Sequence, residues 1–163
     1  MLDIPSISAI VAAIGVLVGV VFAVMELRHL VKQRKTDLVT RLSSEFSTSR
    51  QFLEAFVDTL EVEFRDYDDF VKRYGKPISK NEVPMSFMTM GNFFEQIGTL
   101  FRNKLIDASL ISQIFPICEV WEKMEPLVEG MRKEYHFPTL FDQFEYLYDE
   151  MKKREQKLQQ STA

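Results

Sequence analysis

Between Ile4 and Met25 no charged residue interrupts a run of 22 positions. As a helix rising about 1.5 Å per residue it reaches roughly 33 Å, close to the ~30 Å hydrocarbon thickness of a bilayer. Asp3 precedes the run and Glu26 closes it. Beyond Glu26 the apolar positions fall at helical spacing. Leu27 and Val31, then Leu38 and Leu42, form pairs offset by 11 residues, which carries a helix past the apolar run. Ser43, Ser44, Ser47, Thr48 and Ser49 predict an interruption, and Thr48-x-x-Gln51 reads as a capping box for a helix burying Phe52, Leu53, Phe56, Val57 and Leu60. Asp66-x-x-Asp69 starts a short helix that stops near Gly75.

Gly75 to Val83 is the clearest loop, and Pro84 suits the first turn of the next helix. Phe87, Met90, Gly91, Phe94, Ile97, Gly98 and Phe101 lie on one face of that helix, where the two glycines predict a close crossing. Asn103 is a stop. Asp107 caps a segment burying Leu110, Ile111, Ile114 and Phe115, while Pro116 and Pro126 predict breaks on either side of Trp121. Pro138 opens a last helix with Leu140, Phe141, Phe144, Leu147, Tyr148 and Met151 on its apolar face. No segment alternates with period two. The predicted class is therefore all-α: one transmembrane helix with its basic flank (residues 1–35), a cytoplasmic bundle of about five or six helices (36–158) and a frayed tail (159–163).

A cleaved export signal carries cations before a shorter apolar stretch, whereas here the cations follow a long one. Arg28, Lys32, Arg34 and Lys35 crowd one flank, and the other flank has no Lys or Arg. The positive-inside rule then places the C-terminal part in the cytoplasm of a cell (plasma or inner) membrane, with those four side chains among lipid headgroups. From Thr36 onward 16 Lys and Arg face 22 Asp and Glu, a net charge of −6, which disfavours a nucleic-acid polymer as partner. Cys118 is the single cysteine, so no disulfide within the chain is possible.

One face of the apolar helix is built from small residues. Ser8, Ala12, Gly15, Gly19 and Ala23 fall within roughly 80° of one another at 100° per residue. Gly15-x-x-x-Gly19 lets two helix backbones approach closely, and the face predicts a homo-oligomer. Val16, Leu17, Val20, Val21 and Val24 on the other side suit lipid. No ionisable residue within the span suggests a polar pore.

Chemistry is hard to find in the rest of the chain. It has no phosphate-cradling glycine loop, no dinucleotide fingerprint, no zinc set and no calcium loop, and no cofactor, metal or catalytic residue is expected. With two histidines and one cysteine, few catalytic constellations are open to it, and Cys118 reads as a small buried hydrophobe. Glu95 lies at the edge of an apolar face between Gly91 and Gly98. If it is inside, it needs a partner, with Arg132, Arg102 and the Trp121 indole N–H as candidates.

The stretch from Gly91 to Arg132 resembles a family of small prokaryotic membrane proteins classed as a domain of unknown function. The shared pattern runs through Phe93, Phe94, Glu95, Gly98, Leu100, Ile106, Asp107, Trp121, Pro126 and Arg132. The resemblance implies a membrane-anchored helical module and a structural cluster of Glu95, Trp121 and Arg132; it implies no activity. The expected function is a non-enzymatic, single-pass interaction or scaffold protein that self-associates through its membrane helix and binds a protein partner or its own copy. The alternative is a ligand-gated effector or small channel whose cytoplasmic domain senses a small molecule such as a nucleotide signal.

Overall fold

The computed structural model describes residues 4–162, with side-chain environments from Ala12 to Gln160. Seven helices run in the order α1 (Ile4–Thr48), α2 (Arg50–Glu61), α3 (Tyr67–Tyr74), α4 (Glu82–Arg102), α5 (Ala108–Ile111), α6 (Ile117–Glu134) and α7 (Asp142–Thr162), with no strand among the described residues. The chain divides into two compact units, one up to Leu38 and one from Val39 onward. That boundary falls three residues past the expected one, inside α1.

The first unit is a single helix. From Ala12 to Arg34 its side chains are exposed, and its apolar stretch is long enough to cross a membrane. The second unit is a bundle built around α4, which packs most extensively on α7 and α2, while α6 covers α7 and α3. The positions of α4 that avoid water include Phe87, Met90, Phe94 and Ile97, the expected helical stripe, but Phe93 widens it into an arc because helices lie on more than one side. Val120, Trp121, Met124, Leu127, Val128 and Met131 of α6 and Phe144, Leu147 and Met151 of α7 complete the core.

Phenylalanines tie the end of α1 into this unit. Val39 is buried, and the Phe46 ring lies 5.4 Å from Phe93 and 5.5 Å from each of Phe56 and Phe115. Offset and edge-on pairs of this kind add to plain area burial. Glycines mark the closest crossings. A Cβ on Gly98 would collide with the backbone carbonyl of Gln143 in α7, and one on Gly130 would collide with Tyr67 in α3.

Several boundaries depart from expectation. The serine-rich stretch does not interrupt α1, and Thr48 Oγ1 turns back to donate to the Ser44 carbonyl (2.6 Å) within the helix. The break is one extended residue, Ser49, and no Thr48–Gln51 capping box forms. On α2 the buried residues are Ala55 and Thr59, while Leu53 and Val57 are exposed, so the buried face is rotated from the expected one. The segment after Asp107 is a single turn that buries Ile111 and Phe115 and leaves Ile114 exposed. Pro116 precedes α6 as expected, but Pro126 sits inside α6 without ending it, and the neighbouring buried residues on both sides hold the helix together. Pro138 lies in a turn, and α7 begins only at Asp142. The expected frayed tail is helical as far as Thr162. Asp66 caps α3 as read, accepting from the Asp69 amide (2.9 Å), and Gly75 ends it at φ +95°, a backbone state that suits glycine.

Candidate functional site

Two places collect the residues singled out by sequence. The first is the small-residue face of α1. An ideal Cβ at Gly15 or Gly19 meets nothing within 4 Å. Ala12 and Ala23 are also exposed, and the Ser8 side chain lies outside the described residues. On the other side Val16, Leu17, Val20 and Val21 are each more than half exposed. Arg28, Lys32 and Arg34 are exposed and Lys35 is half-buried, one turn and more beyond the apolar stretch.

The second place is the start of α7, where Glu95, Trp121 and Arg132 converge. They do not meet through the pairings expected for Glu95; each touches the same short segment. The residue before α7, Phe141, has φ +57° and no side-chain acceptor with which to cap the helix. Glu95 reaches across from α4 and its Oε2 accepts from the Phe144 amide at 2.9 Å. Phe144 is the third residue of α7, whose free N–H a capping side chain normally takes, and a carboxylate there also complements the helix dipole. Trp121 sets its ring edge-on to Phe144 at 4.9 Å, and Phe94 stacks on the same Phe144 ring at 4.8 Å. Arg132 donates from Nε to the Leu140 carbonyl (2.9 Å) and pairs through Nη2 with Glu145 (2.7 Å), the latter without hydrogen-bond alignment. Gly98, three residues after Glu95, leaves the room that brings Gln143 against α4. Phe94, Glu95 and Gly98 of the Phe-Phe-Glu-x-x-Gly stretch thus form a cradle for the first turn of α7. Sequence reading located its members but missed their common target, because a backbone amide 49 residues away leaves no signature of its own.

Cys118 is buried, and its Sγ lies 3.7 Å from Glu155 Oε1. Burial, followed by the Glu155 carboxylate, pushes its thiol up to about 11, while Lys152 pulls the other way. A thiol held protonated in this way is a poor nucleophile at neutral pH. Among the described residues no three His, Cys, Asp or Glu side chains gather where they could hold a metal ion. The bundle surface carries open grooves. One of about 600 Å³ runs between the start of α3 and α6, and its rim mixes Asp66, Asp68, Glu129 and Glu134 with Arg65 and Lys133. That mixture gives no single-signed field for a charged ligand.

Compared with known proteins, the chain matches the family model of a domain of unknown function, DUF4760, over residues 11–151. The match takes in most of the apolar stretch and all three residues that hold α7. No curated protein and no solved structure matches the chain.

Proposed function

We propose a function for this chain, which belongs to the DUF4760 family, from its own geometry, since the family assignment supplies no activity. The protein is a single-pass, membrane-anchored helical interaction protein that self-associates through Ala12, Gly15, Gly19 and Ala23. Its C-terminal bundle faces the cytoplasm of a prokaryotic inner or plasma membrane, with Arg28, Lys32, Arg34 and Lys35 among the headgroups. The orientation rests on the one-sided placement of those cations.

The observation that carries the reading is a contrast among glycines. In the bundle, Gly91, Gly98 and Gly130 each sit where a Cβ would run into a neighbouring side chain or backbone, whereas Gly15 and Gly19 face open space. Glycine in a helix interior costs roughly 0.5–1 kcal/mol relative to alanine. In the bundle, close packing offsets that cost. In α1 a second helix would supply the corresponding packing, since in a bilayer the close approach of small residues is a main source of helix association.

The test is oligomeric state in detergent for wild type and for Gly15→Leu/Gly19→Leu. Wild type should run as a multimer and the double variant as a monomer. Two monomers, or two multimers of equal size, overturn the proposal.

A second reading, a ligand-gated membrane effector, is favoured by one feature of the bundle, a groove on α7 where three cations face a single carboxylate.

A further inference from the structure

Charge on the bundle is distributed against its net sign. From Thr36 onward the chain carries −6, yet a groove of about 250 Å³ between α4, α5 and α7 is lined by Lys153, Arg154 and Lys157 against one carboxylate, Glu150, with Phe101 and Ala108 as its apolar wall. Lys153 is paired with Glu150 at 2.8 Å. Arg154 and Lys157 have no ion-pair or hydrogen-bond partner among the described residues.

Ordinary helix electrostatics does not account for this grouping. Cations gather at helix C-termini because the dipole favours them in the last turn. α7 continues past Lys157 to Thr162, and its last turn holds no basic residue. Lys153 and Lys157 are four apart, a like-charge spacing that mildly destabilises a helix. On a different face of α7 a cation does find an acidic partner on another helix: Lys152 takes Glu122 at 2.7 Å. Two uncompensated cations beside a third therefore point outward into a concave, partly aromatic groove. Beside it, Arg102 lies over the Tyr146 ring (4.8 Å), and the Tyr146 ring is 6.0 Å from that of Phe101. Flat rings next to clustered Lys and Arg suit a phosphate group that carries an organic moiety.

We propose that the groove formed by Phe101, Ala108, Lys153, Arg154 and Lys157 binds a phosphate ester. It deepens the second reading and is independent of self-association through Gly15 and Gly19. The phosphate has two sources, a free nucleotide or an anionic lipid headgroup, and the shared chemistry is an anionic phosphate ester held by α7.

The experiment is lysine footprinting of the full chain in nanodiscs, read by mass spectrometry as the acylation rates of Lys153 and Lys157, with exposed Lys72 and Lys133 as controls. One arm uses phosphatidylcholine discs with added ATP, and the other uses discs containing phosphatidylglycerol and no nucleotide. Protection in the first arm assigns a free nucleotide, and protection in the second assigns a headgroup. At a probe concentration ten times its Kd, the rate at Lys153 should fall about tenfold with the controls unchanged. Protection of Lys153 should disappear in Arg154→Gln/Lys157→Gln, whose melting temperature should match wild type because both side chains are exposed. No protection in either arm overturns the proposal, as does equal protection of the controls or protection that survives in the double variant. Running the same footprint on Gly15→Leu/Gly19→Leu separates the groove from self-association. Ion flux through liposomes, measured alongside, tests the effector reading without bearing on the groove.

Discussion

At the scale of single residues, Glu95 has the most specific task. It supplies from α4 the acceptor that the start of α7 lacks, at 2.9 Å from the Phe144 amide. Removing a capping acceptor costs about 1 kcal/mol, or roughly 3–5 °C of melting temperature in a domain of this size. Glu95→Ala should show that loss. Glu95→Gln keeps a carbonyl acceptor and gives up only the interaction of charge with the helix dipole, so its loss should be smaller. Thermal unfolding of the two variants checks the order, and equal losses would contradict the capping role. Cys118 makes a pH prediction. Its thiol is raised to about 11 by burial and by Glu155, while in the unfolded chain it ionises near its ordinary value of about 8.5. Between those values the unfolded chain has released a proton that the folded one keeps. The contribution is fully present below about 8.5 and disappears as pH rises through about 11. Cys118→Ala should flatten the fall of melting temperature over that window, and native Cys118 should react slowly with a thiol reagent at pH 8 until the chain is unfolded.

At the scale of elements, what the sequence made legible was whatever rests on local chemistry. The Asp66 cap, the Gly75 stop, the Asn103 stop and the buried stripe of α4 all follow from side chains acting within a few residues. The misread boundaries share a physical cause, which is tertiary packing overriding local preference. Serines at 43, 44 and 47 continue a helix because Val39 and Phe46 anchor that stretch in the core. Pro126 is tolerated within α6 because Trp121, Met124, Leu127 and Val128 are buried around it, although its missing N–H removes one helical bond. The crossing of α4 on α7 at Gly98 is the sharpest element-level test. The obstacle is the Gln143 backbone, which cannot swing aside as a side chain can. Gly98→Ala should therefore destabilise the bundle by about 1–3 kcal/mol in chemical denaturation. Gly15→Ala, where nothing stands in the way, should leave the bundle's unfolding unchanged.

At the scale of the whole molecule, one chain carries two opposite distributions of its apolar side chains. Leu17, Val20, Val21 and Phe22 stand more than half exposed on α1, while the bundle buries Phe87, Phe94, Trp121 and Phe144 almost completely. A fragment from Val39 onward should therefore be monodisperse in plain buffer, and the full chain should need detergent or lipid; size-exclusion chromatography distinguishes them. Surface ion pairs such as Lys123 with Glu63, at 3.4 Å and with Glu63 largely exposed, contribute little to that fragment's stability. The candidate site was legible only in pieces. Gly15 and Gly19 announce themselves by spacing, whereas the groove on α7 needs Phe101 and Ala108 brought to Lys153 by folding, and no local pattern in the sequence joins them.

The cradle for α7 also sets an order in time. Glu95, Trp121 and Arg132 all precede the segment they hold. During synthesis they leave the ribosome first, and the receiving surface can be assembled before its occupant exists. The carboxylate, ring and guanidinium that complete the first turn of α7 thus come from chain made before it. Without the residues from Asp142 onward the Glu95 carboxylate and the Trp121 ring lose Phe144, so the docking of α7 is the step that satisfies them.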